Sequence, residues 1–134
     1  MAEKKRKILV VEARFYDEIA DFLASGALSS LSEAGYESDR VAVPGVFEIP
    51  AALRLAWRNG DYAGSLSLGC VIRGETDHYD HICREVSRKL MDLCVDDEMP
   101  HGFGILTCEN MDQARERADT GKRNLGARTA EACL

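Results

Sequence analysis

Residues 74–78, Gly-Glu-Thr-Asp-His, place a glycine, acids, a hydroxyl and an imidazole directly after an apolar run that begins at Leu66. Gly74 followed by Glu75 and Thr76 at a helix start exposes backbone N–H groups, a hydroxyl and the positive end of a helix dipole, which together bind phosphate. An imidazole group ordinarily titrates near neutral pH, and we expect His78 to reach the same space. The segment therefore predicts an anion site beside a general acid and base.

Other polar segments follow the remaining predicted strands, at 13–15, 44–48 and 107–110. In open α/β sheets, ligands bind beyond the carboxyl ends of the strands, so these segments should meet at one edge. Phe15 could stack on a planar heterocycle, and Glu48 could accept hydrogen bonds from hydroxyl or amine groups. The expected pocket suits a polar aromatic ligand.

Each candidate also has a structural interpretation. Phe15 could cap the core, and Glu48 could sit in the first turn of a helix and favour its dipole. Thr76 or Asp77 could serve only as a helix N-cap. The spacing of His78 and His81 lacks the His-x-x-x-His pattern of a helical metal site, so we expect no metal.

Composition narrows the class of protein. The chain has 134 residues, with 17 Lys and Arg against 23 Asp and Glu, and its net charge of −6 argues against a nucleic-acid surface. Its five cysteines are odd in number and include no C-x-x-C pair, which is typical of reduced core thiols in a cytoplasmic protein. The basic segment 1–7 leads into a strand without an extended apolar segment, so we expect no signal peptide and no membrane span.

A second basic cluster is typical of a solvated helix face but could hold an anion; it comprises Arg115, Arg117, Lys122 and Arg123.

Strand and helix patterns alternate along the chain. Apolar runs predict strands at 7–12, 36–43, 65–72 and 103–107, and helical spacing predicts helices at 16–34, 49–58 and 77–93, with two more starting near Asn110 and Asn124. This order predicts one α/β domain over residues 1–134, in which a four-stranded parallel sheet carries helices on both faces and residues 1–6 form a flexible tail. His101 is expected in a loop.

Residues 43–50, 68–80 and 103–118 resemble the three signature blocks of the 6,7-dimethyl-8-ribityllumazine synthase family, and residues 13–15 resemble a weaker fourth block. The resemblance implies a flavodoxin-like, three-layer α/β/α sandwich. It also implies a pentamer, or twelve pentamers in a 60-mer shell, with active sites between neighbouring subunits.

The family's reaction condenses 5-amino-6-(ribitylamino)uracil with 3,4-dihydroxy-2-butanone 4-phosphate in riboflavin biosynthesis, and the resemblance implies no cofactor and no metal. It assigns proton transfer to His78. It assigns phosphate binding to Gly74, Glu75, Thr76 and Arg117. The pyrimidine and ribityl contacts fall on Phe15, Val46, Phe47, Glu48, Val71, Ile72 and, from the adjacent subunit, Phe103.

Two positions depart from the family's pattern. Tyr16 stands where many members have asparagine, and Leu125 stands where many have lysine, so ribityl contacts are expected to differ. Two alternatives to the enzyme remain open, a flavin- or lumazine-binding storage module and a shell-forming protein with a weak catalytic site. Arg117, Thr76 and His78 favour the enzyme.

Overall fold

The computed structural model describes residues 7–74 and 78–134, and the side chain of His78 is not included. The strands are β1 (Lys7–Ala13), β2 (Glu37–Val43), β3 (Gly64–Ile72) and β4 (His101–Cys108). The helices are α1 (Asp17–Glu33), α2 (Ile49–Asn59), α3 (His78–Asp96), α4 (Met111–Ala118) and α5 (Leu125–Cys133), and a 3-10 turn (Val46–Glu48) precedes α2.

The four strands form one parallel sheet in the order β2-β1-β3-β4. The central register pairs Val10 with Arg40 on one side and with Leu66 on the other. The strand order reverses between β1 and β3, and such a switch point opens a crevice at the carboxyl ends of the strands. The predicted α/β class and the parallel sheet are confirmed.

Helices cover both faces of the sheet. Because side chains alternate along a strand, Val10 faces a core built with α1, α4 and α5, whereas Leu9 and Val11 face a core built with α2 and α3. Near-continuous apolar strands are expected where both faces are buried. The result is the three-layer sandwich expected from the sequence.

Helices α1 and α5 cross at very short range because glycine lies at the contact. A Cβ atom placed on Gly126 would overlap the carbonyl oxygen of Leu23, and one on Gly26 would overlap the Asn124 side chain. Asn124 starts α5 with a left-handed backbone, φ 49°, a conformation that asparagine tolerates better than most residues. Gly35 follows α1 with φ 87°, the left-handed backbone in which glycine commonly ends a helix.

His101 corrects the sequence prediction, since it is the first residue of β4 and not a loop residue. Its ring lies between two serines of β3, with Nδ1 2.7 Å from Ser65 Oγ and Nε2 2.8 Å from Ser67 Oγ. Ser65 Oγ also lies 3.2 Å from the carbonyl oxygen of Pro100, which can only accept. The direction of each hydrogen bond to the ring depends on which of the two ring nitrogens carries the proton. Burial lowers the pKa of His101 to about 4.

Candidate active site

A cavity of about 510 Å3 opens at the carboxyl edge of the sheet, beside the switch point between β1 and β3. Its walls come from the segments that follow β1 and β2, from the end of β3 and from one residue of α3. Six of the predicted site residues are among its lining: Phe15, Val46, Phe47, Glu48, Val71 and Ile72, together with Tyr16, Pro44, Gly45, Cys70 and Ile82.

The segment after β1 presents two aromatic rings to the cavity. Phe15 is 73% exposed, so its ring is not a core cap. The ring packs edge-to-face against Tyr16, with centroids 4.9 Å apart and planes at 78°. Burial raises the pKa of Tyr16, and the nearby Cys70 adds to the effect. The exposed face of Phe15 is available to stack on a planar ligand.

An ion-pair network fixes this segment. The backbone N–H of Arg14 donates to the carbonyl oxygen of Val43, and its side chain bridges Glu12 at 3.0 Å and Asp21 at 2.6 Å. The hydrogen bond to Asp21 raises the pKa of Arg14, against the opposing effect of burial. Because Phe15 is the next residue, the network holds the backbone from which the Phe15 side chain extends.

The segment after β2 ends in a 3-10 turn that supplies Val46, Phe47 and Glu48. Val46 is buried and forms the floor, whereas Phe47 and Glu48 are exposed. Glu48 Oε1 accepts a hydrogen bond from the backbone N–H of Gly45 at 3.0 Å, which closes the turn. The second carboxylate oxygen has no partner among the described residues and can accept from a ligand hydroxyl. The structural and the binding interpretation of Glu48 are thus compatible.

The end of β3 forms the back wall of the cavity. Val71 and Ile72 are half-buried and point to opposite faces of the sheet. Cys70 is buried, and burial with the neighbouring Cys108 thiol raises its pKa to about 12. The Cys70 thiol is therefore protonated at neutral pH and is not a nucleophile.

Arg73 ties the strand ends together. Its backbone N–H donates to the Cys108 carbonyl oxygen at 2.9 Å, which extends the pairing of β3 with β4 by one residue. Its guanidinium pairs with Glu109 at 3.1 Å and lies 4.4 Å from the ring centroid of Tyr79 in the first turn of α3. The hydrogen bond to Glu109 is the main reason why the pKa of Arg73 is raised. Gly74 follows directly and is exposed.

Arg117 reaches the same edge from α4. Its side chain is half-buried, and Nη1 lies 3.4 Å from the Cys108 Sγ atom. Within the described ranges, no carboxylate lies within 4.0 Å of its guanidinium. A half-buried cation without a carboxylate partner at a strand edge favours an anionic ligand.

The remaining predicted residues lie elsewhere. Phe103 is not part of the cavity wall; it lies on β4, one of the two edge strands, and is 46% exposed. Glu75 and Thr76, and the side chain of His78, lie outside the described part of the structure. The structure therefore brings the heterocycle-binding candidates together within one chain, but not Phe103.

Sequence reasoning missed the residues that support the cavity, Glu12, Arg14 and Arg40. The signal was present, because Glu12 is an acid within the apolar run Lys7–Ala13. A buried carboxylate needs a charged or hydrogen-bonding partner. The identity of these partners, Arg14 and Arg40, depends on strand pairing and could not be predicted from the sequence around Glu12.

Two features are absent from the described part of the chain. No helix there is long and apolar enough to cross a membrane. No group of three or more His, Cys, Asp or Glu side chains in ranges 7–74 and 78–134 is placed to hold a metal ion.

The family model and the relatives that match this chain carry the same description. A family model described as 6,7-dimethyl-8-ribityllumazine synthase matches residues 5–134. The 6,7-dimethyl-8-ribityllumazine synthase of Paramagnetospirillum magneticum is 46% identical over 135 residues, which cover 96% of this chain and 90% of that protein. Enzymes of the same name from Bartonella tribocorum and Agrobacterium fabrum are 48% and 47% identical, covering 98% and 97% of this chain and 87% and 91% of theirs.

Proposed function

Because the chain belongs to the 6,7-dimethyl-8-ribityllumazine synthase family, we propose that it is the transferase that condenses 5-amino-6-(ribitylamino)uracil with 3,4-dihydroxy-2-butanone 4-phosphate in riboflavin biosynthesis. The products are 6,7-dimethyl-8-ribityllumazine, phosphate and water. The observation that carries the proposal is the convergence of Phe15, the 3-10 turn Val46–Glu48 and the end of β3 on one cavity.

The cavity suits the pyrimidine substrate. The exposed ring of Phe15 stacks on the heterocycle, and Val71 and Ile72 supply backbone contacts at its edge. The second oxygen of Glu48 accepts hydrogen bonds from ribityl hydroxyls. Tyr16 adds a phenol group to this wall, which gives the polyol chain a further hydrogen-bond partner.

The phosphate of the second substrate binds at the neighbouring strand edge. Arg117 supplies the cation, and Gly74, Glu75 and Thr76, which follow β3 in the sequence, supply further contacts to the phosphate. Support for this comes from the half-buried guanidinium of Arg117, which has no carboxylate neighbour among the described residues. A guanidinium presents a fork of N–H donors that matches phosphate oxygens.

The chemistry requires proton transfer and positioning. The 5-amine of the pyrimidine attacks the ketone to form an imine with loss of water. A proton is then taken from the α-carbon, phosphate leaves, and the resulting enol tautomerises to a ketone. The ribitylamine nitrogen attacks this carbonyl, and a second water is lost as the ring closes. His78 moves the protons, and Arg117 stabilises the leaving phosphate. Much of the acceleration comes from holding two substrates together. No step transfers electrons, so we propose neither a cofactor nor a metal.

We further propose that the active protein is a pentamer in the cytoplasm, with residues 1–134 as one domain, or a 60-mer of twelve pentamers. Phe103 then completes the cavity of a neighbouring subunit. Support comes from large apolar side chains that are more than two-fifths exposed on the single chain: Phe15, Phe47, Leu55, Met91, Val95, Phe103 and Leu134. Sedimentation equilibrium should give five or sixty chain masses, and a monomer would contradict the assembly.

The function can be tested in cells. A bacterial strain that lacks its own lumazine synthase should grow without added riboflavin when it expresses this chain. The Arg117→Glu variant, expressed at the same level, should support slower growth, because charge reversal repels the phosphate substrate. Absence of growth from well-expressed, folded parent protein would contradict the proposed function.

A further inference from the structure

Cys108 occupies a fixed point beside the cation of the proposed phosphate subsite. It is the last residue of β4, is 1% exposed, and pairs in register with Ile72. Its carbonyl oxygen accepts the Arg73 N–H at 2.9 Å. With its backbone held by the strand pairing and its side chain enclosed, its sulfur atom has little freedom to move.

The Cys108 Sγ atom is the hydrogen-bond acceptor that the described structure provides for the Arg117 guanidinium, with Nη1 donating at 3.4 Å. Other arginines at this end of the molecule are held by acids instead. Arg115 donates to Glu18 at 2.8 Å, and Arg73 pairs with Glu109. A carboxylate would neutralise Arg117, whereas a thiol sulfur is neutral and only a weak acceptor.

This difference matters for an anion site. A guanidinium has five N–H donors, so the one bond to sulfur found among the described residues leaves four that no other described residue is seen to occupy. The bond fixes the direction of a flexible side chain without cancelling its charge. Cys108 also connects the two halves of the site, because its thiol interacts with the thiol of Cys70, which lines the cavity.

We propose that Cys108 is a positioning residue, whose sulfur atom orients the Arg117 guanidinium for the phosphate group of the substrate. The inference rests on the proposed function, because it takes the ligand of Arg117 to be a substrate phosphate. Cys108 itself does not touch the reacting atoms.

Two substitutions of similar shape separate the hydrogen bond from packing. Cys108→Thr keeps an acceptor next to Arg117, and Cys108→Val replaces it with a methyl group. Loss of the bond should raise KM for the phosphate substrate about fivefold in Cys108→Val. The KM for the pyrimidine substrate should stay within about twofold of the parent, because the lost interaction acts on the phosphate substrate.

Cys108→Thr should restore the KM for the phosphate substrate to within about twofold of the parent. Cys133→Ala is the matched control, since it removes a half-buried thiol beside Pro100, at the amino ends of β3 and β4 and away from the site. The Cys108→Val effect should vanish when Arg117 is already alanine, because the two residues then have no interaction left to lose.

Three results would overturn the inference: an unchanged KM for the phosphate substrate in Cys108→Val, an equal rise in Cys108→Thr and Cys108→Val, or a persistent effect in the Arg117→Ala background. If the parent forms no product, the proposed function fails by itself. Calorimetric titration of the same variants with inorganic phosphate then decides the inference, since a fivefold weaker Kd in Cys108→Val alone supports it and equal Kd values, or no binding by the parent, refute it.

Discussion

The guanidinium of Arg40 on β2 meets the buried carboxylate of Glu12 on β1 through two hydrogen bonds, Nε to Oε2 at 2.6 Å and Nη2 to Oε1 at 2.9 Å. The Glu12 side chain is only 3% exposed, whereas that of Arg40 is 49% exposed. The pair joins the strands whose following segments supply Phe15 and Glu48, so it stabilises the frame of the candidate site.

Replacing Arg40 should therefore destabilise the fold. In Arg40→Met, Arg14 is the one charged partner that the described residues leave to Glu12, which becomes a poorly compensated buried charge. We expect the free energy of unfolding to fall by about 2–4 kcal/mol in urea titrations. Arg58→Met, at an exposed helix end, should change it by less than about 0.5 kcal/mol. An equal decrease in the free energy of unfolding of the two variants would show that the pair between Arg40 and Glu12 does not stabilise the fold.

His101 should make stability depend on pH. The folded protein keeps its ring neutral down to about pH 4, whereas the unfolded chain takes up the proton near pH 6.5. The unfolded state therefore binds more protons between these values, and the free energy of unfolding falls as the pH is lowered through that window. The contribution of this group is on the order of 3 kcal/mol.

The variant His101→Gln keeps a polar side chain that does not titrate. Its free energy of unfolding, measured by urea titration at fixed protein concentration, should fall less steeply than that of the parent between pH 6.5 and pH 4. Parallel curves for the two proteins would mean that His101 is protonated in the folded state at its ordinary pKa.

The contact between α1 and α5 should not tolerate a side chain at Gly126. In Gly126→Ala the new methyl group overlaps the Leu23 carbonyl oxygen, which belongs to the helix backbone and cannot turn away. We expect a loss of about 2–3 kcal/mol, seen as a lower Tm. Gly121→Ala meets only the Asp119 carboxylate at 3.4 Å and should have little effect. A Gly126→Ala protein as stable as the parent would disprove the close crossing.

Phe15 should affect substrate binding more than stability. Because the ring is 73% exposed, Phe15→Ala should change Tm little. Loss of the stacking surface should raise KM for the pyrimidine substrate about tenfold, while Phe15→Tyr, which keeps the ring plane, should stay close to the parent. Steady-state kinetics on the three proteins provide the check. An unaltered KM in Phe15→Ala would place the heterocycle elsewhere.

Local sequence patterns were sufficient to predict the strands and the edge of the sheet at which the candidate site lies. Apolar runs located all four strands, and the parallel arrangement then brought Phe15 and Glu48 to one edge. These patterns did not reveal contacts made between distant segments. Glu12 and Arg40 are 28 residues apart in the chain. His101 was predicted in a loop because its hydrogen-bond partners, Ser65 and Ser67, are on another strand. The hydrogen bond between Arg117 and Cys108 likewise depends on how α4 packs against the end of β4.

The most direct test of the central claim is product formation by the purified protein from the two proposed substrates. Lumazine fluorescence and released phosphate should rise together in a one-to-one ratio, and His78→Ala should slow the reaction without abolishing it, since positioning remains. A parent protein that binds riboflavin tightly yet forms neither lumazine nor phosphate would contradict the synthase and identify a flavin-binding protein instead.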